Sequence, residues 1–230
     1  MAAVGTIFAA IFALFAVGMV VLIVFSVRGQ LRRRRQRHAA FWELCQTRGW
    51  EHLADAAARQ AVSFQPGGSL HGGSLAVADA MIGFEDGVPF VISDQAYTES
   101  DGENSHTYRY SVCQMRLPGA APRLLVQPES GLSRFGQKFG LADIQLESKA
   151  FNDAFNITST STRFASDVLH PRTMQWLLGY PRSCLLMQGT ELLVWIPGSL
   201  SIDKIDFMLW FSRSLRAQVP SFVWQFLESS

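Results

Sequence analysis

Three stretches decide the fold: A-V-A-D-A-M-I-G-F (residues 76–84), V-P-F-V-I-S-D-Q-A-Y (88–97) and T-Y-R-Y-S-V-C-Q-M-R-L (107–117). Each has strand character, with β-branched and aromatic residues recurring along it. Between the last two lies T-E-S-D-G-E-N-S-H (98–106), polar with one glycine, which reads as a long hairpin tip. The connections are too short for parallel crossovers, so an antiparallel meander is expected. Crossover helices do not alternate with these strands, and the fold class is therefore α+β rather than α/β.

Working outward, further short strands are expected at residues 123–126 and 144–146. Two more, at 184–188 and 192–196, flank a turn at Gly189 and read as a second hairpin. Phe151 and Phe155 lie four apart, as helical neighbours do, and a helical stretch follows at 164–168. His170-Pro171 opens the next helix, through Leu178, because proline's missing N–H has no partner in a first turn anyway. A helix from Ser201 to about Arg216 puts Ile202, Ile205, Met208 and Leu209 on one face, widened by Phe207, Trp210 and Phe211. The tail S-F-V-W-Q-F-L (221–227) is apolar enough that it should dock on the domain or on a partner.

At the other end, residues 2–27 carry no ionisable side chain and are broken only by Thr6 and Ser26 among polar types. As a helix this run would rise about 39 Å at 1.5 Å per residue, enough to cross a hydrocarbon core of roughly 30 Å with some tilt. A cleaved signal peptide places its basic residues before a shorter apolar stretch. Here Arg28, Arg32, Arg33, Arg34, Arg35 and Arg37 come after it, so an uncleaved single span is expected, with the N-terminus outside and the C-terminal domain cytoplasmic. The same six arginines are the expected contacts with anionic headgroups, each adding on the order of 1 kcal/mol of attraction. Phe41, Leu44, Cys45 and Arg48 continue at helical spacing, and Gly49 supplies a residue that can end the helix. The expected organisation is a transmembrane helix over 1–27, a basic juxtamembrane segment and helix over 28–60, and a soluble α+β domain with an antiparallel sheet and packed helices over 61–230.

The formal net charge of +1 conceals an asymmetry. Without the six clustered arginines, 14 basic residues face 19 acidic ones, which argues against a nucleic-acid-binding surface. Cys45, Cys113 and Cys184 form no C-x-x-C pair, so neither a disulfide framework nor a zinc site is signalled, and reduced, mostly buried thiols are the default.

Residues 147–157, E-S-K-A-F-N-D-A-F-N-I, and 163–178, R-F-A-S-D-V-L-H-P-R-T-M-Q-W-L-L, resemble the hallmark of a bacterial membrane-anchored family of unknown function, common in actinobacteria. In that pattern E-S-x-x-F-N-x-x-F-x-V precedes A-x-x-x-L-x-P-x-x-M-x-x-L. Glu147, Ser148, Phe151, Asn152, Phe155, Ala165, Leu169, Pro171, Met174 and Leu177 match it, and Ile157 stands in place of Val. More loosely the resemblance takes in R-G-W after the basic run, the hairpin ahead of Y-R-Y-S-V, and P-S-F-V-W near the end. It implies a one-span topology and an α+β domain, and it brings no activity.

Candidate chemistry is sparse. The glycine-rich run at 64–74 lacks the G-K-[ST] lysine of a phosphate loop and reads as a flexible loop. His38, His52, His71, His106 and His170 fall at no ligand spacing, so no metal is expected. Ser74 lacks the G-x-S-x-G setting of a hydrolase nucleophile. Glu147 and Asn152 could form a polar site, but Ser148 capping a short helix is the simpler account. Asn156-Ile157-Thr158 matches a glycosylation sequon that a bacterial cytoplasmic domain would not use. Phe207, Trp210, Phe211, Phe222, Trp224 and Phe226 read as core, and any that prove exposed would mark a binding surface.

No catalytic, cofactor-binding or metal residue is therefore assigned. The expected partners are the bilayer with its anionic headgroups and a membrane or cytoplasmic protein of unknown identity. The expected function is a non-enzymatic interaction module on the cytoplasmic face. The alternative is a membrane-tethered enzyme or small-ligand-binding domain whose pocket is assembled from distant residues.

Overall fold

The structure is a computed structural model that describes residues 2–62, 74–100, 102, 104–129 and 144–229. The chain divides into two compact units, Met1–Thr47 and Arg48–Ser230. Helix α1 (Ala2–Arg48) makes up the first and ends at Gly49, whose φ of 68° is the left-handed conformation anticipated there. Its apolar side chains from Met19 to Val27 are exposed, Leu22 at 71% and Phe25 at 69%. Among the described residues no helix is long and apolar enough to cross a membrane. The side chains of residues 1–14, 16 and 17 lie outside the described set, and with them much of the expected span. The structure thus supplies a helix over this run without supplying a membrane span.

The second unit is built on one antiparallel sheet. Its elements are β1 (Glu51–Ala54), α2 (Asp55–Ala61), β2 (Ser74–Glu85), β3 (Val88–Ser100), β4 (Ser105–Pro128), α3 (Lys149–Ala154), β5 (Phe155–Ser159), α4 (Thr162–Val168), α5 (Pro171–Leu177), β6 (Cys184–Pro197), α6 (Ile202–Gln218) and α7 (Ser221–Glu228). Strands β1 to β5 follow one another across the sheet, and β6 pairs with β4. Asp86 and Gly87 join β2 to β3 with φ of 50° and 77°, the pair of positive values that a two-residue hairpin turn requires. Strands β3 and β4 pair as far as Ser100 and Ser105, so the polar tip is shorter than its sequence suggests.

Several expectations change here. Residues 107–117 and 123–126 are parts of one long strand, β4, and the expected hairpin at Gly189 is instead one continuous strand, β6. Gly189 has φ 55° and faces Ala121, where the β4–β6 register shifts. A positive-φ glycine serves a bulge as well as a turn, and here it serves a bulge. Phe155 does not continue the helix of Phe151; α3 stops at Ala154 and Phe155 opens β5. Residues 144–146 are not a strand, although Ile144 N–H donates to the Ile157 carbonyl at 2.8 Å. Strand β1 and helix α2 were not anticipated. The glycine-rich run lies outside the described residues except for Ser74, which begins β2.

The paired bulges keep the faces of the sheet consistent. Before the bulge Tyr110 and Val112 of β4 share a buried cluster with Leu193 and Trp195 of β6; beyond it Leu125, Cys184 and Leu186 belong to the same cluster. Leu117, Leu124, Val126, Leu185, Met187, Leu192 and Val194 point to the opposite face, where the main core forms with α3 to α7. A bulge inverts the alternation of a strand, so both strands must invert together, although β4 carries the larger irregularity, with Arg116 to Leu124 lying opposite Glu191 to Met187. Helix α2 packs with Val77 and Ala80 of β2. Register carries Ala80 through Ser93 to Val112, which places α2 on the face opposite the main core.

Local chemistry starts the helices where they start. Ser148, Ser161 and Ser201 each accept a hydrogen bond from an N–H of the first turn, at Phe151, Phe164 and Lys204, a cap worth about 1 kcal/mol each. Pro171 opens α5 as expected, with His170 before it. The apolar tail docks by its inner side, burying Val223 and Leu227 in the main core, while Phe222 and Phe226 remain exposed at 53% and 60%. Gly119 of β4 meets the backbone of α7 directly, since a Cβ built there would run into the Leu227 carbonyl. Gly119→Ala should therefore lower stability by about 1–3 kcal/mol, the range for overpacking. Thermal unfolding of the two proteins checks this, and an unchanged midpoint would mean α7 is seated elsewhere.

Candidate functional site

The second unit carries its distinctive surface where α5, the end of β6 and α6 meet. The turn after α5 folds Tyr180 back to Trp176, with ring centroids 5.2 Å apart, and helical spacing brings Phe207 to Trp210 and Phe211. Across the two elements Trp176 and Phe211 have ring centroids 4.8 Å apart, Tyr180 and Trp210 5.5 Å, and Tyr180 and Phe207 5.9 Å. The cluster is graded: Phe211 is fully buried, Trp176, Tyr180 and Phe207 are half-buried, and Trp210 is exposed. Offset and edge contacts of this kind stabilise beyond area burial alone, by about 0.5–1.5 kcal/mol per pair.

Beside the rings lies an open cleft of about 490 Å³ with a mostly apolar lining. Tyr180, Phe207 and Ile196 form its apolar walls, and Arg182 and Lys204 are its charged groups. The Lys204 ammonium donates to the carbonyls of Pro197 and Ser199, at 2.9 Å each. Its position follows from the Ser201 cap, which sets the first turn of α6. Burial lowers the Lys204 pKa, and the negative charge of Asp94 works in the opposite direction.

A second cleft of about 370 Å³ holds Glu147, Met174 and His170. The His170 Nε2 lies 2.9 Å from the Gln218 carbonyl, so this nitrogen carries the proton and is committed to the backbone. Asn152 is structural too: its side chain accepts from Leu146 N–H at 3.1 Å and donates to the Leu146 carbonyl at 2.7 Å. The polar site considered for Glu147 and Asn152 is thus a clamp on the segment before α3. His52 lies 3.0 Å from the fully buried Asp79, tying β1 to β2, and His106 sits near the start of β4. His71 lies outside the described residues.

Of the residues expected at a membrane surface, Arg28, Arg32, Arg33, Arg34 and Arg35 are exposed on α1, and Arg37 is half-buried with its guanidinium 5.8 Å from the Phe41 ring centroid. The sequence also marks the aromatic residues of α6 and α7, and the structure sorts them. Trp210, Phe222 and Phe226 are exposed, Phe207 and Trp224 are half-buried, and Phe211 is core. Tyr180, Arg182 and Lys204 were not singled out beforehand. The signal available was a tyrosine and an arginine between a helix and a buried strand, which is weak until the distant α6 is placed beside them.

Fold and cleft together define a class: an antiparallel sheet with α3 to α7 packed on one face and an open, aromatic, cation-lined recess at its edge. No known family matches the chain, and no curated protein matches it in sequence. In structure the chain is similar to the mycobacterial trehalose monomycolate transport factor A, TtfA, with a TM-score of 0.54 over 82% of this chain and 95% of that one, at 11% identity. At that identity the likeness is one of fold.

The cysteines bear no reactive thiol in this unit. Burial pushes the Cys113 and Cys184 thiols up to about 12, from an ordinary 9.0. For Cys113 a hydrogen bond donated by Ser212 works against burial and the charge of Glu85 works with it. Because the unfolded thiols ionise first, the stability these residues contribute is complete below pH 9 and is lost as pH rises from 9 toward 12. Urea unfolding across that range should show the decline. Native protein at pH 8 should leave both thiols unalkylated by iodoacetamide, and rapid labelling of either would contradict their burial.

Proposed function

We propose that this protein is a non-enzymatic interaction module held at the cytoplasmic face of a cell membrane by a single N-terminal span, a topology shared with the actinobacterial-type family its sequence resembles. The observation that carries the interaction reading is the graded aromatic cluster beside an open, mostly apolar cleft. Exposed aromatic and arginine side chains around a recess are the usual anchors of protein interfaces. Enzymatic sites more often enclose their substrate and converge acid and base upon it.

Support for the anchor comes from the uncharged run at residues 2–27 and from the exposed apolar side chains of α1. Exposed apolar side chains, interrupted here only by Ser26 between Met19 and Val27, are costly in water, at about 25 cal/mol per Å², and lipid removes that cost. The six arginines that follow favour retention of the C-terminal side in the cytoplasm. The similar TtfA is by description a transport factor for trehalose monomycolate, which agrees with a role at membranes and goes no further here.

Protease added outside intact cells should leave a C-terminal epitope whole and destroy it only after the membrane is opened. Replacing all six arginines with asparagine should weaken or invert that protection. An epitope digested in intact cells would place the domain on the other side. Cross-linking in cells should capture at least one membrane or cytoplasmic protein, and capture of none would count against a module.

A further inference from the structure

We infer that the cleft between Tyr180 and Phe207 receives an acidic segment of a partner protein, its aliphatic or aromatic side chain set against the rings and its carboxylate drawn to Arg182 and Lys204. This rests on the interaction-module reading and names the chemistry of the partner.

Charge complementarity supplies the first argument. Among the described residues the charged groups lining the cleft are both cations, and the Asp94 carboxylate that acts on Lys204 is buried outside the lining. The Lys204 ammonium has three N–H donors, of which the Pro197 and Ser199 carbonyls take two. A side chain held by two backbone carbonyls has already lost its rotamer freedom, so an anion meets it without that entropic cost. Arg182 is exposed and stands on the segment between α5 and β6, from where its planar guanidinium can engage a carboxylate with two parallel hydrogen bonds.

Shape supplies the second. Small-molecule sites bury most of their ligand, whereas this recess is open along its length. An open recess walled by tyrosine and phenylalanine, with Trp210 38% exposed beside it, suits one or two anchoring side chains of a longer chain whose remainder stays outside. Partly buried Lys204 also gains from the match, since an incoming carboxylate adds to the charge of Asp94 in offsetting the loss of hydration that burial imposes.

The test uses the full chain in phosphatidylcholine nanodiscs and an array of ten-residue peptides. Each peptide centres on Leu, Phe or Trp, flanked on both sides by Glu, Gln or Lys. Glu-flanked peptides should bind about tenfold tighter than Gln-flanked ones, the scale of a single hot-spot contact, and Lys-flanked ones weaker still. Arg182→Glu, at an exposed position that leaves the core intact, should erase or reverse that order. Phe207→Ala should weaken every peptide, and Phe226→Ala on α7 should weaken none. Equal binding of Glu- and Lys-flanked peptides, or a preference untouched by Arg182→Glu, would overturn the inference. So would binding of dodecyl phosphate that Arg182→Glu abolishes in the absence of any peptide preference, since the occupant would then be a lipid. If Arg182→Glu protein still cross-links to its cellular partner as the parent does, the module reading stands and this cleft is not its docking site.

Discussion

Strands β4 and β6 are paired from Tyr110 to Val126, across a point where both change the alternation of their side chains. The change is workable because Gly189 adopts a left-handed conformation opposite Ala121, and both strands take their irregularity there. Were the bulge in β4 alone, Leu186 of β6 would turn toward the helices while Leu185 turned away. Both faces would then mix the two clusters that are now separate. The two-sided burial of the sheet depends on this shared irregularity, and so does the position of everything packed upon it.

From that sheet outward, the placement of the cleft is a matter of successive seating. The main core takes Phe151, Phe164, Met174, Phe211 and Leu227 from different helices onto one face of the sheet. Serine caps fix where α3, α4 and α6 begin, and the Trp224 indole ties α7 to the Arg216 carbonyl at 3.2 Å. Phe211 is the inner member of the aromatic cluster and Trp210 the outer, one residue apart on α6. A single helix thereby joins the core to the recess.

The meander of β2, β3 and β4 was legible because its strands are rich in β-branched and aromatic residues and its connections are short. The Gly189 segment was misread for a physical reason, since the same positive φ serves a hairpin and a bulge, and the choice depends on whether a partner strand lies alongside both halves. Phe155 misled because a spacing of four looks helical, while a strand leaving the helix keeps the ring in the same core, 4.8 Å from Phe151 between centroids. Strand β1, E-H-L-A, has no β-branched residue and is held by its neighbour rather than by propensity. The recess was the least legible feature. Its walls come from separate elements, Tyr180 after α5, Ile196 on β6 and Phe207 on α6, and hydropathy marks Phe207 and Trp210 as apolar without saying which faces water.

The contact between Gly119 and the Leu227 carbonyl bears on the other side of α7 as well. Main chain rests on main chain at that point, with no side chain between to act as a cushion. The outward ridge of Phe222 and Phe226 consequently stands at a set height and angle above the sheet. Any surface that comes to rest on those two rings finds them already arranged, and gives up little disorder in meeting them.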